Sequence, residues 1–249
     1  LAGTGIYIHN NNANAAIGIF AGTENFSTTS TIEMRDWYNT NIPLATNVSG
    51  NFGHVIFDEG SGSTWNQDGQ FSPHRIKGNL TIRSGGILMD DGTGMTTTLT
   101  LQDVLLEGSG ALRIAEGNNR NLTLVTNNYR DARTSGSVFY SGIQFDCSGS
   151  VNWTANGNVI IEASWSYYEG SAGTGNSVIT INGDLTIDAG AFDFNRNVDA
   201  SLTVTVSGNT FINNNTTWVR FLDRYDEDIN FTTTNMYVYG GSNNTFHGG

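Results

Sequence analysis

Short runs of alternating apolar and polar residues recur along the chain. Thr98-Leu99-Thr100-Leu101 and Thr203-Val204-Thr205-Val206 each place an apolar side chain at every second position, the pattern of a half-buried β-strand. Each predicts a strand with Leu or Val turned inward. Thr is turned outward, where a β-branched side chain suits an exposed strand surface. Gly-Asn, Gly-Asp and Asn-Asn pairs separate the runs and are expected to supply the left-handed backbone angles of sharp bends. Two stretches depart from the pattern. Residues 31–38 read as a short helix or a lateral loop, and Tyr129 to Arg133 as irregular.

The runs fall on a repeat. Ile76 to Met89 matches Ile181 to Phe194 at an offset of 105 residues, with Gly78, Asn79, Leu80, Thr81, Ile82 and Gly85 in step with Gly183, Asp184, Leu185, Thr186, Ile187 and Gly190. Weaker copies place the anchor glycine at 22, 50, 157 and 208. The 79 residues between Gly78 and Gly157 then hold three steps, with degenerate copies near Asp103 and Arg130. A unit of about 26 residues is too short for a propeller blade and fits one turn of a three-sided solenoid. The expected fold is all-β: a single-stranded parallel β-helix (β-solenoid) of about nine coils, forming one domain over residues 1–249. Asn at a bend is expected to stack on Asn of the next coil as an amide ladder. Gly3 to Ile8 and Met236 to Gly241 read as ordinary coil rather than caps. A solenoid with bare ends continues into more chain or stacks on another subunit.

Composition narrows the function. Asn and Gly number 31 each and Thr 30, and 11 basic residues face 23 acidic ones for a net charge of -12. Such a surface repels phosphate backbones, which argues against nucleic acid. No apolar run reaches the ~20 residues of a membrane-spanning helix, so no membrane insertion is expected. The first residue is Leu1 and no basic-then-apolar leader follows, so a secretion signal is absent or already removed. The single cysteine, Cys147, reads as a small core residue.

Candidate chemistry is sparse. His9, His54, His74 and His247 show no ligand spacing. Asp226, Asp228 and Asn230 match the first three ligand positions of a calcium loop, but Phe231 and Tyr237 then stand where Gly and Glu are needed. The run reads as a solvated loop; calcium is the only cofactor it brings into question. Trp165, Tyr167 and Tyr168 cluster beside Glu169, an arrangement able to stack on sugar rings and hydrogen-bond their hydroxyls. Sequons such as those at Asn79, Asn121 and Asn152 follow from the repeat pattern itself.

The units beginning at Gly78 and Gly183 resemble the repeats of very large bacterial surface proteins, the solenoid adhesins and filament-forming secreted proteins. The resemblance implies a right-handed β-helix exported to the cell surface as stalk, fibre or adhesin, and carries over no catalytic residues. The leading expectation is therefore a non-enzymatic extracellular segment that partners further coils and surface glycans. A polysaccharide lyase or hydrolase is the alternative, with Arg220, Arg224 and Asp226 as the residues able to form its site. An ice-binding solenoid is a lesser one. Thr98/Thr100 and Thr203/Thr205 share a register, but the equivalent positions taken from the repeat are Gln70/Ser72 and Ser177/Ile179, so a maintained Thr array is not expected.

Overall fold

The computed structural model describes residues 4–10, 27–35, 52–58, 65–67, 76–88, 97–114, 121–134, 143–145, 149–163, 166–169, 176–188, 191–193, 201–213, 218–220, 229–239 and 245–247. Among them every regular element is a β-strand and every strand pairing is parallel. No helix of the described residues is long and apolar enough to cross a membrane.

The strands form three ladders, one per side of a β-solenoid. Face I stacks Thr97–Thr100, Leu122–Thr126, Val151–Ala155, Ser177–Ile181 and the first halves of Leu202–Ile212 and Ile229–Val238. Face II runs from Ile6–Asn10 through Thr31–Arg35, His54–Asp58, Leu80–Ser84, Val104–Gly108, Tyr129–Arg133, Val159–Ile161 and Leu185–Ile187 to the second halves of the same two long strands. Face III stacks eight short strands from Trp65–Gln67 to Thr245–His247. Register partners on face II lie between 23 residues apart (Thr31 and His54) and 30 apart (Tyr129 and Val159). Fewer coils carry a described strand on all three faces than the nine expected, because face I has only six rungs among the described residues.

The core is a set of columns along the axis. On face II one inward column runs Phe57, Ile82, Leu106, Asp131, Ile161, Ile187 and Ile212, and on face I another runs Leu99, Leu124, Trp153, Ile179 and Val204, all buried. Each buried apolar side chain contributes about 1.5–3 kcal/mol relative to exposure.

Three sequence expectations need correcting. Thr31–Arg35 is a strand, with Ile32 and Met34 turned inward and Glu33 in the outward register, buried where Arg35 and Arg83 pair with it. Tyr129–Arg133 is also a strand, disguised by two buried charges. The anchor glycine of the third rung is Gly53 rather than Gly50, since the Gly78 N–H donates to the Gly53 carbonyl at 3.0 Å. The anchor glycines also serve a different purpose from the one expected. Positive φ occurs at Gly85 and Gly108 among the described glycines, not in the Gly-Asn column. There the backbones of successive coils nearly touch: a Cβ on Gly183 or on Gly208 would lie 2.6 Å from the carbonyl oxygen of the glycine one coil earlier.

Candidate functional site

The residue after each anchor glycine builds a polar ladder at the corner between faces I and II. The Nδ1 of His54 accepts the Asn79 N–H at 3.0 Å, which places the imidazole proton on Nε2. Asn79 Oδ1 accepts from the Asp103 N–H (3.3 Å), Asp103 from Asn128 (3.1 Å) and Asn128 from Asn158 (2.8 Å). Asn158 accepts from Asp184 (2.9 Å) and Asp184 from Asn209 (2.7 Å), and the Asn235 side chain donates to Asn209 at 2.9 Å. The expected Asn ladder is present, but most rungs join side-chain oxygen to backbone N–H rather than amide to amide. Each such bond satisfies a backbone donor that the sharp bend would otherwise leave unpaired.

Beside this ladder the outer surface of face II forms a groove of about 480 Å³. Leu105, Arg130 and Ile160 floor it, with Asn128 and Asn158 on the ladder side. The Arg130 guanidinium donates to Glu162 at 2.8 Å. That hydrogen bond, then the attraction of the same carboxylate, raises the arginine pKa above its ordinary value. Further along the face, Glu33 accepts from both Arg35 (2.7 Å) and Arg83 (3.1 Å). The Phe211 and Tyr237 rings stack at 5.3 Å.

Behind the groove lies a buried charge pair. Arg133 meets Asp131 in a two-pronged bridge of 2.7 and 2.8 Å, with both side chains 2% exposed or less. Tyr129, one inward position earlier, packs edge-on against Trp153 with centroids 5.1 Å apart. Trp153 Nε1 donates to Thr126 Oγ1 at 3.1 Å. Burial, reinforced by the Asp131 charge, pushes the Tyr129 phenol well above its ordinary pKa. The pair is structural in form, because each charge is neutralised and bonded inside the core.

Face I presents two outward columns. One runs Thr98, Thr123, Asn152, Val178, Thr203 and Asn230; the other runs Thr100, Val125, Thr154, Thr180, Thr205 and Thr232. The register pairs Thr203 with Val178 and Thr205 with Thr180. Ser177 and Ile179 pair instead with Leu202 and Val204 and point inward. The sequence comparison was therefore one residue out of step at Ser177 and Ile179, and Gln70 and Ser72 lie outside the described residues. Thr fills five of six positions in the second column and three of six in the first, with both positions Thr in two of the six rungs.

The residues singled out by sequence are scattered. Asn230 sits exposed on face I, opposite Thr203, while Asp226 and Asp228 lie outside the described residues. Tyr167 and Tyr168 lie on the strand Ser166–Glu169 of face III, and Trp165 lies outside the described residues. Arg220 is on the strand Trp218–Arg220 of the same face; Arg224, Cys147 and His74 also lie outside the described residues. Among the described residues no three His, Cys, Asp or Glu side chains converge on a metal-sized site. Sequence reasoning passed over the groove and the buried pair. The signal for the groove was Asn79, Asp103, Asn128, Asn158 and Asp184, a polar position returning every 24 to 30 residues.

Together these features define a three-sided parallel β-solenoid with a polar corner ladder. Compared with known proteins, the chain matches no family model, no curated sequence and no solved structure.

Proposed function

We propose that the chain is a non-enzymatic structural or adhesive segment of an extracellular bacterial surface filament or adhesin. The observation that carries this reading is the state of the two ends. Tyr7, in register with buried Ile32, is 36% exposed on the first described rung, and Met236 and Val238, in register with buried Thr210 and Ile212, are 40% and 43% exposed on the last. Among the described residues the outermost face II strands pair on one side only. Bare strand edges carrying apolar side chains are templates for further pairing. In this reading the partner is a coil of a second copy of the chain. The repeat style of the sequence supports the surface location, and the face II groove offers a lateral contact for surface glycans.

The test is electron microscopy and light scattering of the purified chain over a concentration series. Rods of constant width whose length grows with concentration are expected. Because each copy carries -12 charge, raising salt shortens the ~30 Å Debye length of 0.01 M to ~10 Å at 0.1 M and should lengthen the rods. Tyr7→Lys and Val238→Lys, which place a charge on the open core column at either end, should each stop growth. A particle of one length at every concentration and salt would sink the stacking reading.

A further inference from the structure

We infer that face I is an ice-binding surface, its Thr-rich column and the uncharged column beside it holding water in a crystal-like array. The first support is geometric. Six strands pair in parallel without a register slip across this face, from Thr97 to Thr233. Parallel neighbours lie ~4.8 Å apart, and outward positions two residues apart lie ~6.6 Å apart along a strand. The outward side chains therefore form a two-dimensional lattice, with repeats close to those between oxygens on ice surfaces.

The second support is chemical. Five of the six positions in the column from Thr100 to Thr232 are Thr, and the sixth is Val125, which keeps the branched shape and a methyl in place of the hydroxyl. None of these Thr hydroxyls is engaged in a hydrogen bond among the described residues, which leaves them to water. The methyls between them order water by the restriction that apolar surface imposes. β-Branched side chains hold one χ1 preference, so little entropy is lost when the array is frozen against a solid.

The third support is charge. Neither outward column holds an acidic or basic residue, although the chain as a whole carries 34 of them. Charged groups orient water radially and would disrupt a lattice. Neighbouring face II, by contrast, carries Glu33, Arg35, Arg83, Glu107, Arg130 and Glu162. The array also lacks aromatic rings, the groups that would stack on the sugars of a crystalline polysaccharide.

The experiment is nanolitre cryoscopy of the whole chain with ice as the only probe, beside adsorption to a growing ice hemisphere. The wild-type chain should shape ice crystals, open a gap between melting and freezing, and enter the ice. Thr154→Tyr combined with Thr180→Tyr should reduce the gap by about tenfold, because two rings lift the surface off the lattice. Tyr suits an exposed strand, so circular dichroism should be unchanged. Thr205→Lys tests the array independently by charge, and Thr186→Tyr on face II should retain full activity. Rod formation should be equal in all four proteins, which separates this inference from end-to-end stacking. Absence of ice shaping by the wild type overturns it. So does equal loss in Thr186→Tyr, preferential pelleting with crystalline cellulose or chitin, or a face-to-face dimer that Thr180→Tyr dissolves.

Discussion

Two inward charges and one phenol break the apolar columns at Asp131, Arg133 and Tyr129. Desolvating an ion pair costs more than its attraction returns unless geometry is good; here the guanidinium grips both carboxylate oxygens. Removing one partner strands the other in the core. Asp131→Asn is expected to cost about 3–5 kcal/mol, measured by urea unfolding. Asp131→Leu with Arg133→Met should recover most of that loss, and a double variant as weak as the single one would show that the pair is not the cause. Tyr129 behaves differently, because its folded pKa lies above the unfolded value near 10.0. Its stabilisation is complete below pH ~10 and is lost as pH rises from there through the folded value. The slope is up to about 1.4 kcal/mol per pH unit. Wild type should therefore lose Tm above pH ~10 more steeply than Tyr129→Phe. Parallel curves would refute the burial argument.

The bend between faces I and II is the element on which coil stacking depends. Replacing Gly by Ala commonly stabilises by ~0.4–1 kcal/mol through the unfolded chain. Gly183→Ala should do the opposite and lose about 1–3 kcal/mol, since its Cβ would press on the Gly157 carbonyl oxygen and the Asn158 side chain. Thr186→Ala, on the same coil but outward, should stay within ~0.5 kcal/mol. Equal effects in thermal unfolding would remove the special role of the column. At this scale much was legible in advance. Alternation gave the strands at Thr98 and Thr203, and the Gly-Asn spacing gave the coil and its ladder. What escaped was phase. Gly50 stood in for Gly53, and Ser177 for Val178. A slip of one residue in a period-two element exchanges inside for outside, which is how the Thr array was missed. The strand with buried Asp131 escaped for a related reason, because a charge turned inward reads as a charge turned out; Thr31–Arg35, by contrast, alternates regularly and was legible as a strand.

Across the whole molecule each coil is stabilised chiefly by its two neighbours, so stability grows along the axis rather than around a centre. Among the described residues the surface is divided by side: charge pairs and a groove on face II, an uncharged array rich in Thr on face I, and strands paired on one side only at the ends of face II. These regions do not overlap, and contact on one leaves the others free.

The corner ladder gives the rod a sense of direction. From Asn79 to Asn209 every bond runs the same way, the later coil donating an N–H to a side-chain acceptor on the earlier one. The two ends are therefore unlike. Backbone bonds at the same corner also run the other way, Val55 donating to the Asn79 carbonyl and Leu80 to that of Asp103, so the direction is carried by the side-chain rungs alone. Copies can extend the ladder only head to tail, through a heterologous contact that does not close on itself, so any assembly built this way grows as a vectorial chain with its lateral faces in constant orientation.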